Sequence, residues 1–181
     1  KKDGKINYDS ISKNYDISRR AGTKTVELLV ELLNPITDSV VLDVGCGTGN
    51  FLLELNGLSK KLVGLDLSAG MLAQAKSKSR AMLIRGNTLF MPFYEKVFDA
   101  AYCIQVLHHI LDKSRFTKEV YRVLKREGRF VIQSCSHDQL STFWQYHYFP
   151  TALEIDKKRI PDFIGRILPF RRRERLHYRV F

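Results

Sequence analysis

The chain has 181 residues, 44% hydrophobic and 27% charged, the proportions of a globular protein long enough to bury a sizeable core in one domain. No apolar run is long enough to span a bilayer, and Lys1-Lys2-Asp3-Gly4 lacks the apolar stretch behind it that a signal peptide needs. Lys and Arg number 30 against 19 Asp and Glu, with much of the excess in Lys157-Lys158-Arg159 and Arg171-Arg172-Arg173. Nucleic acid, an acidic membrane surface or an ordinary solvated surface would each explain that excess, and the last is the expectation. Few aromatics interleave with the Arg171 to Arg175 cluster, so no specific nucleic-acid site and no membrane partner are expected. Cys46, Cys103 and Cys135 fall in or beside strand-like runs without metal-ligand spacing. They imply neither a disulfide framework nor a metal site, and a cytoplasmic chain is expected.

Residues 1 to 20 carry Tyr8-Asp9 and Tyr15-Asp16, seven apart. Val26, Leu29, Val30 and Leu33 then recur at helical spacing, and Pro35 ends that helix. Val40 to Val44 is a short β-branched run broken by Asp43, the pattern of a strand buried on both faces. It leads into Gly45-Cys46-Gly47-Thr48-Gly49-Asn50, where three glycines allow a sharp bend and close approach to a ligand. Asn50 is expected to cap a helix that runs to about Leu58, with Gly57 helping to stop it. A strand, a glycine turn and a helix N-terminus form a cofactor site in an open α/β sheet.

The second strand is Leu62 to Asp66, with an acid at its end, seventeen residues past Gly49. At that spacing an acid hydrogen-bonds the ribose of an adenosine cofactor. Ser68 caps a helix to about Ser79. The third strand is Met82 to Arg85, followed by Gly86-Asn87-Thr88-Leu89, and the fourth is Val97 to Cys103. Gln105-Val106-Leu107-His108-His109-Ile110 follows at the carboxyl edge, where ligands bind. The adjacent histidines lack the i, i+4 spacing of a helical metal pair. They read either as a structural group beside a cofactor contact or as a base. Ser114 caps a helix over Arg115 to Leu124, and Gly128 permits a turn into a fifth strand around Phe130 to Ile132.

The glycine spacing separates two cofactor classes. A dinucleotide fingerprint reads G-x-G-x-x-G, whereas this chain reads Asp43-x-Gly45-x-Gly47-x-Gly49. That form resembles motif I of the class I methyltransferases that use S-adenosylmethionine. Several further segments are similar to segments of the small members of that family. They are Tyr8 to Asp16, Ser68-Ala69-Gly70-Met71-Leu72, the Gly86 turn into Met91-Pro92-Phe93, Leu107-His108-His109, and Arg122 through Ile132. Asn87 stands where the family commonly has an aspartate, and Arg126-Glu127 where it has Pro-Gly.

The resemblance implies a Rossmann-like, doubly wound, mostly parallel sheet with helices on both faces, in three α/β/α layers. It implies a single domain over 1–181. About 1–35 would form a cap segment and helix, 40–136 the cofactor core, and 137–181 a substrate lid and the remnant of the sheet edge. The family's closing antiparallel hairpin has one strand candidate, 175–181, so either the sheet is truncated or residues are missing there. The cofactor implied is S-adenosyl-L-methionine. Its contacts would be Tyr15, Asp43, Gly45, Cys46, Gly47, Gly49, Asp66, Leu67, Met71, Asn87, Thr88, Leu89 and Gln105. Asn87 keeps an acceptor for the adenine amino group without the charge. His108, His109 and Tyr148 are the candidates if the acceptor needs a base, and the aromatic stretch Phe143 to Phe149 would cover the pocket with Tyr8 and Tyr15. A small-molecule acceptor is expected. A non-catalytic S-adenosylmethionine-binding module, an RNA-modifying methyltransferase and a nicotinamide-dependent oxidoreductase stand as alternatives, the last disfavoured by the glycine spacing.

Overall fold

The computed structural model describes residues 7–17, 20–34, 38–135, 137–143, 145–148, 150–160 and 177–178. Pro35, Trp144, Phe149, the Arg171 to Arg173 cluster and most of 175–181 lie outside the described residues. In chain order the elements are α1 (Tyr8–Ile11), a helical turn (Ser12–Ile17), α2 (Thr23–Leu33), β1 (Val40–Val44), α3 (Asn50–Glu54), β2 (Lys61–Asp66), α4 (Ala69–Lys78) and β3 (Met82–Arg85). Then come β4 (Phe98–Ile104), a second helical turn (Leu107–His109), α5 (Lys113–Val123), β5 (Leu124–Gln133), α6 (His137–Thr142), α7 (Gln145–Tyr148), α8 (Pro150–Arg159) and β6 (His177–Tyr178).

The strands order as β3-β2-β1-β4-β5-β6, and every described pairing is parallel. Parallel neighbours need crossovers, and these place helices on both faces. Alternate residues of β1 serve opposite layers. Leu42 and Val44 join Val63, Leu65, Phe98, Phe116, Val120 and Phe130 on the α5 side. Val41 joins Leu29, Leu33, Leu52, Leu62, Ala100 and Tyr102 on the side of α2 and α3. Each such apolar side chain contributes about 1.5–3 kcal/mol when fully buried, so the two half-cores hold the sheet between the helical layers. The direction of winding reverses between β1 and β4, which opens a crevice at their carboxyl ends.

Several boundaries differ from the sequence reading. Gly49, in the left-handed conformation with φ +77°, precedes α3, so Asn50 is its first residue rather than its cap. The helix stops at Glu54, and Gly57 turns the chain three residues later with φ +84°. Asp112, not Ser114, caps α5, accepting from the Arg115 amide at 2.8 Å. α5 runs directly into β5, and a register shift opposite Phe98 to Ala100 absorbs residues 125–128. Residues 177–178 pair parallel to β5, where the family hairpin implied antiparallel pairing.

Two polar anchors fix the frame. Asp99 accepts from the Val40 amide at 2.9 Å and from Lys125 at 2.7 Å, tying the start of β1 to β4 and β5. Glu119, 7% exposed, accepts from the Met91 amide at 2.7 Å and from Arg122. Arg122 in turn donates to the carbonyls of Met91 and Phe93. α5 therefore grips the loop that follows β3.

Candidate active site

The glycine turn lies at the crevice. The Gly45 and Cys46 amides both donate to the Leu65 carbonyl, at 2.7 and 3.0 Å, which pins the turn to β2. The three glycines serve different ends. A Cβ on Gly45 would sit 2.6 Å from Val106 Cγ2, and one on Gly49 2.9 Å from Ala75 Cβ, so both keep elements in close contact. A Cβ on Gly47 would meet nothing within 4 Å: its backbone, at φ +53°, faces open space.

Two adjoining cavities, of about 360 and 250 Å³, share Tyr15, Gly45, Gly47, Ile104 and Gln105. The larger is lined further by Asp66, Leu67, Met71, Asn87, Thr88 and Leu89, from the ends of β2 and β3 and the start of α4, and by Tyr8, Val106, His109, Ile110 and Leu111. The smaller is lined further by Asp43, Cys46, Thr48, Asn50 and Phe51 and by Arg20, Gly22, Thr25 and Gln133. A 590 Å³ groove at the amino ends of β2 and β3, around Lys60, Lys61 and Arg80, lies at the other edge of the sheet, away from the glycine turn.

Asp66 bridges two loops. One carboxylate oxygen accepts from the Gly47 amide and the other from the Ser68 amide, both at 2.8 Å. Burial raises its pKa against those two bonds. Asp43 is 3% exposed, and burial, joined by the Asp66 charge, pushes its pKa up to about 8. The Tyr102 hydroxyl beside it opposes that rise without reaching good hydrogen-bond geometry. Gln105 is held at φ +55°, a conformation uncommon for a residue with a side chain, which turns the chain sharply at the end of β4. Its amide donates to the Gln133 carbonyl at 2.8 Å.

His109 borders the larger cavity and keeps part of its ring exposed. Burial of the rest, then the charges of His108 and Arg159, lowers its pKa to about 4. The direction follows from the setting, since a second imidazole and a guanidinium both oppose protonation.

The N-terminal segment divides its tandem dipeptides between two tasks. Asp9 accepts from Ser68 Oγ at 2.5 Å and the Gly70 amide at 2.8 Å, at the N-terminus of α4, and these bonds lower its pKa. Asp16 accepts from Thr48 Oγ1 at 2.5 Å, Asn50 Nδ2 at 3.0 Å and Lys78 Nζ. Burial works to raise its pKa, yet the bonds from Lys78, Thr48 and Asn50 bring it down. With the carboxylates fastened to the sheet layer, Tyr8 and Tyr15 turn to the cavities, ring centroids 6.2 Å apart.

Most of the residues singled out in the sequence converge here. Tyr15, Asp43, Gly45, Cys46, Gly47, Asp66, Leu67, Met71, Asn87, Thr88, Leu89 and Gln105 all line one cavity or both. Gly49 does not: it packs against α4. Leu89 offers no free amide to a ring, because its N–H donates to Asn87 Oδ1 at 2.9 Å. His108 packs its ring 3.9 Å from that of His109 but lines neither cavity. Tyr148, on α7, is 74% exposed and is likewise absent from both walls. Among the described residues of 137–160 none lines either cavity, and Leu140, Tyr146 and Ile160 form a separate small cluster. Reasoning from sequence missed Arg20, Thr25 and Gln133, which lie outside any motif, and Thr48, Asn50 and Phe51, which sit at variable positions in or beside the glycine motif. Among the described residues, no group of three or more His, Cys, Asp or Glu is placed to hold a metal ion, and no helix is long and apolar enough to cross a membrane.

The profile of the methyltransferase domain family matches residues 42–132. The demethylmenaquinone methyltransferase of Lactococcus lactis is 32% identical over 174 residues, covering 88% of this chain and 67% of that protein. The enzyme of the same name from Thermotoga maritima is 34% identical over 133 residues, covering 69% and 58%. The chain thus spans roughly two thirds or less of the length of these relatives. Among solved structures, the PH0226 protein of Pyrococcus horikoshii superposes with a TM-score of 0.60 at 29% identity, covering 71% of this chain and 66% of that one. A structure from Methanococcus maripaludis, assigned to the S-adenosyl-L-methionine-dependent methyltransferases, gives 0.64 at 20% identity over 89% and 81%, and shows the shared fold. With the motif, the crevice and the relatives in agreement, the chain belongs to the methyltransferase domain family, whose class I fold takes S-adenosylmethionine as its methyl donor.

Proposed function

We propose that the chain transfers a methyl group from S-adenosylmethionine to a small, largely apolar acceptor, acting in the cytoplasm. The observation that carries the reading is Gly47, whose backbone opens onto the junction of the two cavities, where a side chain at its neighbouring glycines would collide. When bound, the cofactor supplies a methyl group on a sulfonium, already an electrophile, so the protein has to bind, orient and exclude water.

The donor set fits that cofactor. Asp66 would take the ribose hydroxyls on the lone pairs left by Gly47 and Ser68, since a carboxylate accepts about four hydrogen bonds. Met71 and Leu67 would flank the adenine, with Asn87 at its polar edge. Asp43, Arg20 and Thr25, which line the smaller cavity, would face the charged amino-acid end. The side of the larger cavity formed by Val106, Ile110 and Leu111 is apolar and suits an uncharged acceptor. The names of the relatives make reduced demethylmenaquinone the first acceptor to test.

Titration calorimetry with S-adenosylmethionine, S-adenosylhomocysteine and NAD tests the cofactor. Binding of the first two only is expected, and Asp66→Ala should weaken both by about 1.5–3 kcal/mol, the range for hydrogen bonds to a charged group. Unchanged affinity in that variant would remove Asp66 from the ribose role. Transfer of label from methyl-tritiated cofactor to demethylmenaquinone, set beside transfer to RNA, tests the acceptor class.

A further inference from the structure

The groove of about 590 Å³ at the amino ends of β2 and β3 takes no part in the proposed methyl transfer. Two turns form it: residues 56–61, between α3 and β2, and residues 80–82, between α4 and β3. The first supplies Lys60 and Lys61 and the second Arg80, and among the described residues no acid lines the groove. Asp38 lies 3.8 Å from Lys60, but the two side chains are 92% and 67% exposed, so water screens that pair. Lys61 and Arg80 have no ion-pair partner among the described residues. Three like charges that converge on one concavity repel one another, and a bound anion relieves the repulsion.

The turns hold these charges in place. The Lys61 amide donates to the Ser39 carbonyl at 3.3 Å. Ser79 Oγ accepts from the Ala81 amide at 3.1 Å, which fixes the backbone on both sides of Arg80. Gly57 turns the first loop at φ +84°, and a Cβ there would meet nothing within 4 Å, so its backbone faces open space beside the cations. Ser59, in the same wall, keeps its hydroxyl buried without a hydrogen-bond partner. Few buried polar groups in native structures are left so, and a bound ion or water is one of the usual reasons.

We propose that this groove binds a small organic phosphate, with Lys60, Lys61 and Arg80 on the phosphate oxygens. Cations that approach from two turns suit an anion with oxygens on several sides, and the planar fork of a guanidinium matches two phosphate oxygens at once. Leu62, Ala81 and Met82 supply apolar wall for the attached carbon skeleton. No aromatic side chain among the described residues lines the groove, so a nucleic-acid strand would find no surface on which to stack its bases. The groove is separate from the glycine-turn crevice. β2 runs from Lys61 to Asp66, roughly 17 Å of strand, so binding at one end does not depend on which cofactor the other end takes.

Titration calorimetry in saturating S-adenosylhomocysteine, which keeps phosphates out of the crevice, tests the groove. The same titrations without it should give the same affinities, so failure of the methyl-transfer reading would leave this test intact. Wild-type protein should bind pyrophosphate and fructose 1,6-bisphosphate, not fructose, and should bind citrate at least ~10-fold more weakly than pyrophosphate, the scale of one charge-assisted hydrogen bond. Lys61→Gln combined with Arg80→Gln should weaken pyrophosphate by at least ~10-fold on the same scale. Lys118→Gln combined with Arg126→Gln removes the same charge from exposed positions outside the groove, and screening should keep its effect within ~2-fold. In amide NMR of the wild type, pyrophosphate should shift residues 56–61 and 80–82 and leave the glycine turn unchanged, a readout that stands even if the groove variant misfolds. Absence of binding, equal losses in the two double variants, citrate as tight as pyrophosphate, or shifts confined to other residues would each overturn the proposal. An RNA oligonucleotide that displaces pyrophosphate at lower concentration than fructose 1,6-bisphosphate would overturn it too, by making the groove a nucleic-acid contact.

Discussion

Asp43→Asn should make the protein more stable and a poorer binder of its cofactor. Asp43 lies on the face of β1 beside Tyr102, 3% exposed, with its pKa raised from an ordinary 3.8 to about 8. The folded chain therefore holds a proton on Asp43 that the unfolded chain releases above pH 4. Between those two values the native state binds more protons than the unfolded one, so stability falls as pH rises. At pH 7 about three pH units separate the solution pH from the unfolded value, at 1.36 kcal/mol each, a cost of about 4 kcal/mol. An asparagine avoids the cost but brings amide hydrogens that Tyr102 satisfies only in part, a loss of about 1–3 kcal/mol. The net gain is about 2 kcal/mol at pH 7, a rise in Tm of about 4–8 °C for a chain of this size. It should vanish near pH 5 and grow towards pH 8. Urea unfolding of both proteins from pH 5 to 8 measures it. A variant less stable than wild type at pH 8, or a difference that ignores pH, would refute the argument. The same linkage predicts that S-adenosylmethionine, whose ammonium favours the ionised carboxylate, drives a proton off Asp43 on binding. Calorimetry in two buffers of different ionisation enthalpy detects that proton.

Gly47→Val should leave the fold intact by circular dichroism and abolish cofactor binding, whereas Gly49→Ala, forced against Ala75 at φ +77°, should lower stability by at least ~1–2 kcal/mol in thermal unfolding. Glu119→Ala should cost about 3 kcal/mol, the low end for a broken buried pair because Arg122 is 35% exposed and can rehydrate, and a smaller shift in Tm than about 6 °C would contradict it. In amide hydrogen exchange, S-adenosylmethionine should raise protection at 7–17 and at the glycine turn and leave 137–148 unchanged.

The strands were legible because a parallel sheet buried on both faces demands β-branched runs, as in Val40 to Val44, and because positive φ at Gly45, Gly47 and Gly49 leaves few other residues possible. Helix caps were harder. Asn50 and Ser114 are competent caps, but Gly49 and Asp112 occupy those positions, since the cap is decided by where the preceding turn ends. The site split along the same line. Cofactor-side residues cluster within a few positions of strand ends and follow from local motif, while the Tyr8–His109 bond joins segments 101 residues apart and leaves no mark in spacing. The aromatic composition of 143–149 suggested a pocket wall, but composition does not fix direction, and Tyr148 projects to solvent.

The alternation of tyrosine and aspartate in the N-terminal segment has an evolutionary consequence. Asp9 and Asp16 hold the segment to the start of α4 and to the glycine turn, while the Tyr8 and Tyr15 rings one position earlier border the cavities, and on the proposed reading Tyr8 lies on the acceptor side. On that reading, substitutions at position 8 would alter which molecules are modified while the anchoring of the segment by Asp9 and Asp16 persists. Selection for new chemistry can act on a stretch of eleven residues, 7–17, at little expense to the sheet, and a descendant could acquire a different substrate by exchanging that stretch alone.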